Sequence, residues 1–143
     1  MNDLLLMACS ARKRAEPCEP IAALDRYDGV FFRVLRKWLR ETTRPGPDVL
    51  IVSARYGLID AATEIIDYDQ RMTPERVAKL APKIRLALRA RLEQNDYRRI
   101  FVNVGRDYLA ALDGIDELSG ALWASGGIGQ RAKRLKRWLE ASC

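Results

Sequence analysis

A chain of 143 residues, 48% apolar and 31% charged, has the size and balance of one folded domain, so disorder is not the default, and it contains no low-complexity tract. Its 25 Lys and Arg against 19 Asp and Glu give a net charge of +6 and a pI near 9.5, which favours a polyanionic partner without fixing one. Histidine is absent, so Ser-His and Cys-His nucleophile pairs and every histidine-ligated metal site are excluded, and acid–base work falls to Asp, Glu, Lys, Tyr or Cys.

Leu4-Leu5-Leu6-Met7-Ala8 reads as a first buried strand, ending in the polar run Cys9-Ser10-Ala11-Arg12-Lys13-Arg14. Pro17 and Pro20 hold the following loop. Phe31, Val34, Leu35, Trp38 and Leu39 then recur at helical spacing opposite Arg33, Arg36, Lys37 and Arg40, which predicts a helix over residues 27–41. Val49-Leu50-Ile51-Val52 is a second buried strand, and it breaks into Ser53-Ala54-Arg55-Tyr56-Gly57. Thr73-Pro74-Glu75 supplies an N-cap, a proline at the first helical position and an acid in the first turn. An apolar stripe from Val77 to Leu92 follows, with a kink or break expected at Pro82.

Residues 98–104 predict a third strand and residues 107–112 a short helix, while residues 118–123 suggest a fourth, edge strand. Gly126-Gly127-Ile128-Gly129-Gln130 leads into a last helix over residues 131–141, packed through Leu135, Trp138 and Leu139. Strands alternating with helices make this one α/β domain over residues 1–143. A mainly parallel sheet of about four strands with helices on both faces is expected. Cys9, Cys18 and Cys143 are odd in number and lack CxxC spacing, so neither a zinc site nor a disulfide framework is expected, and a reducing cytoplasm fits. The apolar run at residues 4–8 is too short for a signal core or a membrane span.

Polar residues at the carboxyl ends of parallel strands are where open α/β sheets bind ligands. Cys9, Ser10, Arg12 and Lys13 offer a thiol, a hydroxyl and cations at the first exit, suited to a phosphate or carboxylate. The alternative there is a solvated basic turn. Ser53, Arg55, Tyr56 and Gly57 form the second exit, where an arginine can anchor an anion and a tyrosine can stack on a planar ring. Asp60, Asp67 and Asp69 are the candidate catalytic carboxylates; Asp69, beside Tyr68 and after Ile65-Ile66, leads them. Asn103 closes a third exit, where Asp107 reads as a helix cap rather than a catalyst. Gly127, Gly129, Gln130 and Arg131 open the last helix, where backbone amides can face an anion, although the spacing matches neither the dinucleotide nor the P-loop motif.

At these residues the sequence resembles a small bacterial family of unknown function, more distantly similar to the YaaA-like peroxide-stress proteins. The pattern is Cys-Ser-x-x-Lys (Cys9 to Lys13), a Tyr-x-Gly-x-x-Phe segment matched in shape from Tyr27, Ser-Ala-x-Tyr-Gly-Leu (Ser53 to Leu58), a Tyr-Asp pair (Tyr68-Asp69) and Gly-Ile-Gly-Gln (Gly127 to Gln130). It covers nearly the whole chain, and Ser-Ala-x-Tyr-Gly-Leu is its most specific part. The family pattern has a proline before the Tyr-Asp pair where this chain has Asp67, an acid that would tune Asp69 or accompany a changed substrate.

The resemblance implies a fold similar to uracil-DNA-glycosylase-like domains and a link to nucleic-acid base modification, with relatives beside base-exchange enzymes acting on 7-deazaguanine. The resulting expectation is a nucleic-acid N-glycosidase, acting on DNA rather than RNA, that releases a normal or modified base without metal or cofactor. Asp69 would stabilise the cationic sugar or position water, and Tyr56 or Tyr68 would stack on the extruded base. Ser10, Lys13 and Arg55 would hold phosphates. The alternatives are a non-catalytic DNA- or RNA-binding protein and a hydrolase or transferase for free nucleotides. No membrane partner is expected.

Overall fold

The computed structural model describes residues 2–118 and 120–141, so Cys143 and part of the anticipated edge strand lie outside the described residues. Its strands are β1 (Asp3–Ala8), β2 (Ile21–Ala22), β3 (Asp48–Ser53), β4 (Gly57–Asp60), β5 (Glu64–Ile65), β6 (Arg99–Asn103) and β7 (Leu122–Trp123). The α-helices are α1 (Ala23–Arg26), α2 (Val30–Glu41), α3 (Pro74–Gln94) and α4 (Ile128–Glu140), with 3-10 helices at Arg106–Leu112 and Asp116–Leu118. The main sheet has five strands in the order β4-β3-β1-β6-β7. β3, β1, β6 and β7 run parallel, and β4 folds back antiparallel on β3. β2 and β5 form a separate two-stranded ribbon.

The central strand β1 explains the layering. Leu4, Leu5, Leu6 and Met7 are all buried, because a parallel strand covered on both faces reads as a continuous apolar run. Alternate side chains divide between two cores. Leu5 and Met7, with Ile51 and Phe101, pack against Phe32, Leu35 and Trp38 of α2 and Leu135, Trp138 and Leu139 of α4. Leu4 and Leu6, with Leu50, Val52 and Val102, pack against Val77, Leu80, Ile84 and Leu88 of α3 and Ala111 and Leu112 of the first 3-10 helix. The result is the anticipated α/β domain in three layers.

Several boundaries differ from the sequence reading for physical reasons. α2 starts at Val30 rather than Tyr27, because Tyr27 is fully buried and bridges to Lys13 in extended backbone. α3 runs unbroken through Pro82: Thr73 accepts the Arg76 N–H as its N-cap, and Pro82 stands on the exposed side of the helix. The edge strand shrinks to Leu122–Trp123, and α4 begins three residues early at Ile128. Among the described residues no helix is long and apolar enough to cross a membrane.

From β1 the chain passes through α2 on one face to β3, then through α3 on the other face to β6, on the opposite side of β1. The connections leaving β1, toward β3, and leaving β6, toward β7, therefore diverge at the carboxyl ends of these strands, where such sheets leave a crevice.

Candidate functional site

The exit of β1 is built by local hydrogen bonds. The Cys9 N–H still donates to the Val52 carbonyl at 3.0 Å, so the strand continues one residue before turning. The Ser10 hydroxyl donates to the Arg12 carbonyl at 2.6 Å and accepts from the Gly29 N–H at 3.2 Å, fixing the loop against the start of α2. A Cβ at Gly29 would lie 2.8 Å from the Ser10 Cβ, so this close approach requires glycine. Lys13, held by its bridge to Tyr27, places its ammonium 4.3 Å from the centroid of the Tyr68 ring.

A cavity of about 400 Å³ opens over this exit. Cys9, Ser10 and Lys13 form one wall, Asp69, Arg71 and Met72 from the loop before α3 form a second, and Asp107 and Tyr108 after β6 close it. The Cys9 sulfur accepts from the Ala54 N–H at 3.4 Å and shares a 3.1 Å hydrogen bond with the Tyr108 hydroxyl. Burial, reinforced by Cys9, raises the Tyr108 hydroxyl well above its ordinary value, so it stays a neutral donor and acceptor. Asp69 and Asp107 are both exposed and have no hydrogen-bond or ion-pair partner among the described residues.

Beneath the cavity a hydroxyl cluster fixes one wall. Ser53, fully buried at the end of β3, accepts from the N–H groups of Arg55 and Tyr56 at 3.2 and 3.1 Å, which turns the chain. The same oxygen accepts from Tyr27 at 3.3 Å and shares a 3.1 Å bond with Tyr68, whose hydroxyl lies 2.5 Å from that of Tyr27. Burial pushes Tyr27 up to about 12 and Tyr68 higher still, so both are neutral anchors at physiological pH. The Tyr68 ring meets Tyr27 and Tyr56 edge-on and carries Lys13 above it. It is walled in, whereas Tyr108 is half-buried and faces the cavity.

The structure sorts the other anticipated residues. Asp60 sits at the opposite end of the sheet, because antiparallel β4 carries it back beside Leu50, and it pairs with Arg91 at 3.3 Å. Asp67 is exposed outside the cavity lining. Arg12 faces Asp28 at 3.8 Å, and Arg55 lies 5.5 Å from the Tyr56 ring centroid and 5.7 Å from that of Tyr68. Gly57 takes a φ of +81° at the turn into β4, a structural use of glycine.

Asn103, Gly127, Gly129, Gln130 and Arg131 gather around the start of α4, outside the cavity lining. Arg131 donates to the Asn103 side-chain carbonyl at 3.0 Å and lies 4.7 Å from the centroid of the Phe31 ring. Its own burial lowers its pKa. Among the cavity residues, Gln70, Arg71 and Met72 carry no sequence pattern at all. Asp107 reads as a helix cap, yet makes no capping bond: Gly105 stands at that position. The one available signal for it was a carboxylate and a tyrosine together just past a buried strand.

The fold is a three-layer α/β domain with a polar cavity at the carboxyl edge of its sheet. The chain belongs to a family of unknown function (DUF6884), whose model matches residues 4–137. Among solved structures it is similar to AF0587, described as a protein of unknown function, with 15% identity and a TM-score of 0.59 over 99% of this chain and 45% of that one. At that identity the likeness extends to the fold alone. No curated protein matches the chain.

Proposed function

We propose that the protein cleaves the N-glycosidic bond of a nucleotide in nucleic acid, with DNA the preferred substrate, and releases a normal or modified base. The observation that carries this reading is the meeting of Asp69 and Asp107, both without an ion-pair partner among the described residues, with Lys13, Arg71 and Tyr108 in one cavity of about 400 Å³. Its size falls within the range of small-ligand sites. Cleavage at a sugar passes through a cationic centre, which an adjacent carboxylate stabilises. In this scheme the base stacks on Tyr108 and Asp69 lies beside the sugar. The C1′–N bond breaks with its electron pair leaving on the base, near the positive charge of Lys13. Water adds to C1′ and gives its proton to Asp69. The parallel three-layer fold is compatible with the uracil-DNA-glycosylase-like likeness. The free thiols of Cys9 and Cys18 suit a reducing cytoplasm.

A second reading, nucleic-acid binding without base release, has support of its own in the basic outer layer. Lys37 and Arg40 of α2 and Lys133, Arg134, Lys136 and Arg137 of α4 are all exposed. Mass spectrometry of bases released from normal and modified DNA, with Asp69→Asn as the comparison, separates the two. Base release lost in Asp69→Asn with DNA binding intact supports the enzyme. Binding without release by the unaltered protein, across all the DNAs offered, supports the second reading.

A further inference from the structure

A second concavity lies along the β7 edge of the sheet, about 410 Å³ in volume, and shares no lining residue with the cavity above Cys9. Leu122 and Trp123 form its exposed apolar surface, with buried Phe101 and Trp138 also lining it, and Arg99, Arg134 and Arg137 border it. Trp123 is 39% exposed, whereas Trp38 and Trp138 are 8% and 6% exposed. No Asp or Glu lines the groove, and Arg134 and Arg137 have no acidic partner among the described residues. Arg134 is steadied by a 2.6 Å bond to the Ser125 hydroxyl, and the Arg99 guanidinium lies 4.5 Å from the Trp138 ring centroid.

We propose that this groove binds single-stranded nucleic acid, with a base stacked on Trp123 and its backbone phosphates held by Arg134 and Arg137. An exposed aromatic face beside unpaired cations is the arrangement by which proteins hold single strands without reading their sequence. The cationic border favours a polyanion and opposes a second copy, because two-fold pairing would set Arg134 and Arg137 against themselves, while Arg99 is already paired with Asp3. An added peptide strand is disfavoured because β7 offers only two residues of edge. Exposed Lys133 and Lys136 extend the positive surface along α4. The proposal rests on the nucleic-acid reading above for the class of partner, but not on catalysis.

Titration of the full chain with short oligothymidine, followed by tryptophan fluorescence and by anisotropy of a labelled strand, tests it. Binding is expected to quench fluorescence, since Trp123 is the exposed tryptophan. Trp123→Phe keeps the affinity and loses most of the quench. Trp123→Ala weakens binding by about tenfold. The double variant Arg134→Gln with Arg137→Gln weakens binding and reduces its salt dependence. Asp69→Asn leaves the quench unchanged, so failure of base release and failure of this groove are separate results. Binding without quench, affinity unaltered in Trp123→Ala, or a dimer abolished by Trp123→Ala would each overturn the proposal.

Discussion

At the amino end of the sheet every carboxylate on a strand has a cation, while at the carboxyl end Asp69 and Asp107 have none among the described residues. Asp3, only 7% exposed, accepts from Arg99 at 2.7 Å and Arg98 at 3.2 Å. Asp48 and Asp60 share Arg91, and Tyr97 donates to Asp48 at 2.8 Å. Asp69 and Asp107 instead share a cavity with Lys13 and Arg71, and no ion pair joins them among the described residues. Asp28 is the exception near that end. Arg33, with Arg36 added and partial burial opposing, holds its carboxyl down at about 2, and the cluster braces the start of α2. Charges satisfied by the fold contribute to stability, whereas charges left open in a concavity are available to a ligand.

Substitutions at the two ends should therefore have opposite consequences. Asp69→Asn is expected to lower base release by about 10²-fold or more while leaving the melting temperature unchanged, as a surface substitution without partners should. Asp3→Ala should do the reverse, costing about 2 kcal/mol in denaturant unfolding because a buried carboxylate bonded to two arginines is removed, with base release by the folded protein retained.

Burial opposes ionisation of Asp3, but Arg99 and Arg98 outweigh it and lower its pKa. Its contribution to stability is thus full above the ordinary carboxylate value of about 4 and is lost as the pH falls below it. Asp3→Ala should remove that part of the acid-induced loss.

Smaller effects sharpen the contrast. Tyr68→Phe removes one hydroxyl from the buried cluster while the Tyr27–Ser53 bond remains, and should cost about 1 kcal/mol in thermal or denaturant unfolding. Asp60→Asn weakens a largely solvent-screened pair with Arg91. A loss of at most about 0.5 kcal/mol is expected, with no change in base release.

The same contrast shows what was legible in the sequence. β1, β3 and β6 stood out because buried parallel strands leave continuous apolar runs, and α3 because Thr73-Pro74 is a strong start signal. β4 was missed: four residues beginning with a glycine at positive φ look like a turn, and only pairing with β3 makes them a strand. That omission set Asp60 beside Asp69 in the sequence reading, whereas the reversal places it at the other end of the sheet. Cys9, Ser10, Lys13 and Asp69 were visible as polar residues near strand ends. Asp107 and Tyr108 join them only because β6 is the neighbour of β1, a long-range fact without a local signature.

In the proposed function the carboxyl-edge cavity, rather than the charged amino end, receives the ligand. Amide chemical-shift mapping with a mononucleotide tests it most directly. Shifts are expected to concentrate at Cys9, Ser10, Lys13, Asp69, Arg71, Asp107 and Tyr108, with the amides of Asp3, Asp48 and Asp60 unmoved. Shifts centred on Asp3, Asp48 and Asp60, with the cavity residues silent, would contradict it.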